Sequence, residues 1–197
     1  MGLFIDTYLR VFFVLTPFFV LSVFLSLTRE KAEPARRRLA LKVAGAVTII
    51  VCALFFFGRY IFAVFGVTLD AFKIGAGVLL FLSAISLVHG RMDATSSREH
   101  GDDIAVVPLA MPIMVGPATV GVLLVMGVEL AAPHEKFIAL GAMLSAVVTV
   151  CAFLLLATPI ERRLGAVGLS ILSKLTGLML ASIAAQLILT GAKHFLQ

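Results

Sequence analysis

Apolar runs free of charge recur along the chain at 11–28, 43–58, 74–90, 104–128, 137–160 and 175–192. About 20 mostly apolar residues carry a helix across the hydrocarbon core of a bilayer, and a lysine or arginine at a span's end can snorkel its charge to the interface. Six membrane-spanning helices follow. The second and third runs reach spanning length when Lys42, Arg59 and Lys73 snorkel, giving spans over about 39–60 and 70–89. The apolar segment 61–67, with Gly58 and Gly66 around it, reads as a short interfacial turn. No basic stretch precedes the first run and no Ala-x-Ala follows it, so it reads as a retained span rather than a cleaved signal peptide.

Two of the six runs contain a proline near their middle: Pro17 in 11–28 and Pro117 in 104–128, where Pro108 and Pro112 also fall. Proline has no N–H and clashes with the carbonyl four residues back, so Pro17 should free the carbonyl of Phe13 and Pro117 that of Ile113. It also drives the preceding residue, Thr16 or Gly116, out of the helical region. A proline preceded by Thr or Gly resembles a fresh helix start. The first and fourth spans are therefore expected to be pairs of half-helices broken near the bilayer midplane.

Freed backbone groups survive at membrane depth only where protein buries them or water reaches them, so a break points to a cavity. New helix N-termini offer N–H groups and a positive dipole end, suited to a carboxylate. The carbonyls of Phe13 and Ile113 would suit an ammonium group. A small zwitterion matches that chemistry. The candidate substrate-binding residues are Phe13, Thr16, Pro17 and Phe18 at the first break and Ile113, Gly116, Pro117, Ala118 and Thr119 at the second. Gln186, the only carboxamide within the apolar spans, joins them. The competing reading is a pair of plain proline kinks healed by neighbouring helices.

The halves echo each other about 100 positions apart. Thr16-Pro17 matches Gly116-Pro117, Gly77 matches Gly177, and Cys52/Cys151 and Gly90/Gly191 agree within one position. Lys73-Ile-Gly-Ala-Gly77 and Lys174-Leu-Thr-Gly177 each open a third span. Three spans per copy is an odd number, so the second copy must be inverted. The expected organisation is an all-α, polytopic membrane domain with a three-helix repeat over 1–90, a cytoplasmic linker over 91–103 and a second repeat over 104–197. Inverted repeats are a transporter architecture whose site lies at the repeat interface. A non-transporting protein with an ancient duplication is the alternative of a different class.

Composition agrees with the membrane class. Of 197 residues, 61% are hydrophobic and 14% charged, with a mean hydropathy of +1.12; soluble domains run at roughly 45–50% and about 25%. The net charge of +5 is concentrated in one loop, 29–42. Arg29, Lys31, Arg36, Arg37, Arg38 and Lys42, then Arg91 and Arg98, then Arg162, Arg163 and Lys174 fall on one side; Arg10, Arg59, Lys73, Lys136 and Lys193 fall on the other. The richer side faces the cytoplasm by the positive-inside rule, which puts both termini on the far side. Asp102 and Asp103 are suited to capping the fourth helix.

Several classes are disfavoured. No basic stripe interleaved with aromatics points to nucleic acid. Cys52 and Cys151 sit apart in apolar runs, and His89, His100, His134 and His194 show no ligand spacing, so neither a disulfide nor a metal or other cofactor is expected. An intramembrane enzyme would need a nucleophile with a base, or a ligand cluster, and no such motif occurs. Asp70, Glu129 and Glu161 are terminal to their spans, and Lys73 and Lys174 read as snorkelling residues. Pairs such as Gly141/Ser145 and Gly177/Ala181 read as close helix packing. Membrane lipid is the expected surroundings, and a homo-oligomer is compatible with the sequence.

The stretch Pro108-Leu-Ala-Met-Pro-Ile-Met-Val-Gly-Pro117 resembles the MarC family of bacterial inner-membrane proteins. The resemblance extends over nearly the whole chain, through Phe24-Leu-Ser-Leu-Thr28, Phe65-Gly-Val-Thr-Leu-Asp70 and Thr176-Gly-Leu-Met-Leu180. It implies six spans in an inner membrane and movement of neutral amino acids or related small metabolites; export of other metabolites or drugs is the runner-up. One departure is clear. Family members usually carry Asn-Pro-x-Gly-x-x-Pro in the first span, whereas this chain reads Thr16-Pro-Phe-Phe-Val-Leu-Ser22. Phe18 or Phe19 would then fill part of the first break.

Overall fold

The structure is a computed structural model that describes residues 2–29, 31–90, 114–130 and 132–195. Among the described residues there are seven helices and no strand: α1 (Gly2–Val14), α2 (Pro17–Leu27), α3 (Glu33–Phe65), α4 (Leu69–His89), α5 (Pro117–Glu129), α6 (Pro133–Leu155) and α7 (Ala157–Phe195). Five stretches are long and apolar enough to cross a membrane: Gly2–Leu27, which holds α1 and α2, then Glu33–Gly58, Leu69–His89, Pro133–Leu155 and Ala157–Lys193. Helix α5 is a shorter apolar helix and forms the second half of the fourth predicted span. The first half of that span, with Pro108, Pro112 and Ile113, and the linker 91–103 lie outside the described residues.

Three boundaries differ from expectation. The first basic loop is shorter than its charges implied, since Arg36, Arg37, Arg38 and Lys42 are already helical in α3. Segment 61–67 is not an interfacial turn: α3 runs through Gly58 to Phe65, and the chain reverses only at Gly66, in the left-handed region at φ 63°. Gly58 serves packing instead, since a Cβ there would stand 3.0 Å from the Leu124 carbonyl oxygen of α5. The basic segment 161–174 is not a loop either. It is helical as part of α7, interrupted only at Gly165, whose φ of 65° and ψ of 173° separate a short first helix from the long span. Arg, Leu, Ala and Lys are strong helix formers, and polarity alone did not make this segment irregular.

Burial is concentrated on α5 and its neighbours. Helix α5 is buried from Ala118 to Gly127 except at the half-buried Val120, against Val43, Val47 and Val51 of α3, Val11 and Leu15 of the first span, and Ala139, Met143 and Ala146 of α6, all at most 1% exposed. The outer faces are apolar too: Ile49, Phe57, Leu82, Phe137, Val148 and Leu189 are all exposed. That is the pattern of a bundle solvated by hydrocarbon, whose helices meet through small residues. Gly127 lies directly on the Phe55 carbonyl, and Gly121 against Ala76.

Helices α4 and α7 pack antiparallel through a reciprocal contact. A Cβ at Gly77 would fall 2.6 Å from Ile188 and 3.0 Å from the Ala184 carbonyl oxygen; one at Gly177 would fall 2.8 Å from Val88 and 3.0 Å from the Ala84 carbonyl oxygen. Each contact is the other with the two helices exchanged.

Candidate functional site: two broken helices that meet

Helix α1 stops at Val14, and Pro17 begins α2. Between them Thr16 is forced into the left-handed region, at φ 47° and ψ 56°. It is the only non-glycine residue with positive φ among those described. A β-branched side chain is a genuine outlier there, because its Cβ substituents crowd the backbone. The Thr16 hydroxyl is buried and has no hydrogen-bond partner among the described residues. The carbonyl expected to be free is not: Phe13 accepts the Thr16 N–H at 2.9 Å. The left-handed turn tightens the end of α1 and closes that bond.

The second break is built differently. Gly116 is extended, at φ −79° and ψ 176°, and Pro117 is the first residue of α5. The two helix starts nonetheless share one hydrogen-bond relation, Val20 N–H to the Thr16 carbonyl and Val120 N–H to the Gly116 carbonyl, both at 3.0 Å. Neither start has a side-chain cap. Helix N-termini leave N–H groups without intrahelical partners, and proline removes only the first of them.

The breaks meet at Thr119. Its buried hydroxyl lies 3.4 Å from the Val14 carbonyl oxygen at the end of α1 and 3.3 Å from the Met114 carbonyl oxygen before the second break. A hydroxyl has one proton to donate, so these two carbonyls share one weak donor. Ala118 is buried beside it, Gly116 is half-buried, and Pro117 is exposed on an apolar cavity of about 540 Å³ shared with Phe72 and Ala76.

Phe18 turns away from the junction. Its ring centroid stands 6.5 Å from that of Phe12 and 5.7 Å from that of Phe153, and Phe12 is 6.0 Å from Phe153. Phe12 of α1 and Phe18 of α2 thus straddle the break and grip one ring of α6. Tyr8 adds a hydrogen bond to Thr149 at 3.0 Å. Phe19 lies elsewhere, on a cavity of about 240 Å³ with Ser22, Ser173 and Lys174.

Gln186 is not at the breaks. It lines a separate cavity of about 170 Å³ with Arg10, Lys73 and Glu129. Lys73 does not snorkel: it is 6% exposed, and its ammonium lies 2.8 Å from Glu129 Oε1 and 3.7 Å from Asp70 Oδ1. Reasoning from sequence missed this pair. The signal was there, because the loop count already put Lys73 and the end of the fourth span on one side. At the opposite ends of α4 and α7, Arg36 donates to the Thr28 carbonyl at 2.9 Å, the Arg29 carbonyl at 3.1 Å and Thr158 Oγ1 at 3.2 Å. A cavity of about 690 Å³ there is lined by Ser22, Ser26, Arg29, Arg36 and Glu161. Arg29, Arg36 and Lys174 thus gather at one end of the bundle and Arg10 and Lys73 at the other, as the sequence grouped these five.

An all-helical bundle with apolar outer faces, spanning-length helices and charges at its two ends is a polytopic integral membrane protein. The family model described as "MarC family integral membrane protein" matches residues 1–196, and the chain belongs to that family. It is 33% identical to a UPF0056 membrane protein of Methanocaldococcus jannaschii, over 96% of each chain. A UPF0056 membrane protein of Aquifex aeolicus is 31% identical, over 99% of this chain and 94% of its own. The UPF0056 membrane protein YhcE of Escherichia coli is 28% identical, over 94% and 90%. No solved structure matches.

Proposed function

We propose that this protein carries small neutral amino acids across a bacterial inner membrane by alternating access, with the substrate bound where the two broken helices meet and no covalent chemistry performed on it. One observation carries the reading: two helix starts without side-chain caps and the buried Thr16 hydroxyl, unpartnered among the described residues, lie on helices joined at Thr119. The N–H groups of Phe18 and Phe19, and of Ala118 and Thr119, suit a carboxylate; the carbonyls of Val14 and Met114, which share one donor, suit an ammonium group. The reciprocal contact of Gly77 and Gly177 supports an inverted repeat, in which one half rocks against the other around such a junction. The sorting of charge supports a cytoplasmic Arg36 end and termini on the periplasmic side.

Uptake and counterflow of labelled neutral amino acids in proteoliposomes test the reading. At least one should move, and a Gly116→Leu/Pro117→Leu variant should fold but lose the flux. If none moves, and the variant equals wild type in every assay, transport at this junction is wrong. Cysteine accessibility at residues near each terminus, read in intact cells, tests the orientation.

A further inference from the structure

The cavity around Lys73 draws on four helices: Arg10 from α1, Lys73 from α4, Glu129 from α5, and Ile183, Gln186, Leu187 and Thr190 from α7. It opens near the start of α4 and the end of α7, away from the cavities that hold Arg36 and Lys174. A buried ion pair is weak evidence of a stabilising device, since apolar residues of similar volume often do as well. Here the pair forms the wall of a cavity, beside a guanidinium and a carboxamide. Lys73 is held at 2.8 Å by Glu129 and has a second carboxylate, Asp70, at 3.7 Å. Arg10 donates one N–H to Asp6 at 3.1 Å, which uses one of the guanidinium's five donors.

We propose that this cavity is a second binding site for a small zwitterion, an outer station on the route to the helix junction. The inference deepens the transport reading and rests on it. The ligand's ammonium takes the Glu129 carboxylate in place of Lys73, and the released Lys73, still close to Asp70, takes the ligand's carboxylate together with Arg10. Gln186 supplies both a donor and an acceptor, and Ile183 and Leu187 meet an aliphatic side chain. A zwitterion exchanges one ion pair for two and leaves no buried charge unmatched. A simple anion leaves the Glu129 carboxylate facing another negative group, and a simple cation meets Arg10 and Lys73. A volume of about 170 Å³ is below the roughly 300–1,000 Å³ of sites for drug-sized ligands, and it selects a short amino acid.

The test uses the full chain in nanodiscs, carrying Gly116→Leu/Pro117→Leu to remove binding at the junction, so that calorimetry of L-alanine, propionate and ethylamine reads this cavity; each further variant is made in that background. Glu129→Gln should weaken L-alanine at least tenfold and abolish its preference over propionate. Arg10→Gln should abolish the preference over ethylamine. Glu129→Gln leaves the buried Lys73 with only the more distant Asp70 carboxylate at 3.7 Å, so the double variant Lys73→Gln/Glu129→Gln, which removes both charges of the pair, is the folding-safe counterpart; it should bind all three ligands weakly and alike. Gly116→Leu/Pro117→Leu should retain this binding while losing flux. If, in the junction-blocked background, the Glu129 and double variants discriminate the three ligands as their parent does while wild type still transports, the outer station is overturned and the transport reading stands. If wild type neither binds nor moves any neutral amino acid, the transport reading fails and takes this site with it.

Discussion

The Thr119 hydroxyl lies 3.4 Å from the Val14 carbonyl oxygen, a contact between residues 105 positions apart that joins the end of α1 to the start of α5. Each residue sits at a proline-induced break, and the Val14 carbonyl left at the first break is partly answered by a hydroxyl from the second. Thr119→Val keeps the shape and removes the donor, leaving the Val14 and Met114 carbonyls unanswered. It should lower stability by about 1 kcal/mol, within the usual cost of an unsatisfied buried group. Thr119→Ser should hold near wild type, and thermal unfolding in detergent separates the two.

Thr16 is strained where Asn would not be. Its left-handed backbone is several-fold better tolerated by Asn than by a β-branched residue. Thr16→Asn, the residue usual in the family motif, should raise stability by about 1 kcal/mol, since such conformations cost of order 1–3 kcal/mol. Thr16→Val keeps the strain and loses the free hydroxyl, so it should lower substrate affinity without that gain in stability. Melting curves and binding isotherms on the same preparations check both.

Glycines in this bundle divide by what a methyl group would meet. Gly77→Ala and Gly177→Ala press on backbone carbonyls and β-branched neighbours across the α4–α7 pair. Each should cost about 1–3 kcal/mol as overpacking, and by similar amounts because the contacts are reciprocal. Gly45→Ala in α3 meets nothing within 4 Å among the described residues and should stabilise by roughly 0.5–1 kcal/mol through helix propensity. Melting temperatures in one detergent rank the three.

Arg36 ties the turn after α2 to α7. Its guanidinium reaches the Thr28 and Arg29 carbonyls and Thr158, which in turn donates to Glu33 at 3.3 Å. Lysine cannot reproduce a fork with several fixed donors. Arg36→Lys should therefore lose about 1–2 kcal/mol, on the scale of one or two hydrogen bonds to a charged group. Faster hydrogen exchange in residues 28–36 should accompany it.

Much of the bundle was legible in sequence because its causes are local. Apolar length makes a spanning helix, and a mid-span proline breaks it, so Thr16-Pro17 and Gly116-Pro117 could be placed from the chain alone. Reading failed where the cause was a neighbour. Segment 61–67 looked like a turn because two glycines flank it, but Gly58 is small in order to admit the Leu124 backbone. The charges of 161–174 looked like a loop, yet helix formers surround the single interruption at Gly165.

What the sequence by itself determined is therefore the membrane class, the spans and the positions of the breaks, each a matter of local length, polarity and the missing proline N–H. Only the tertiary structure decided that Thr119 would bridge the breaks, that the Phe13 carbonyl would be taken by the Thr16 N–H, and that Lys73 would turn inward to Glu129 while Gln186 lined the same cavity. Those outcomes depend on which helices approach and at what height. A buried polar group takes whichever partner packing brings within reach, and spacing along the chain does not name that partner.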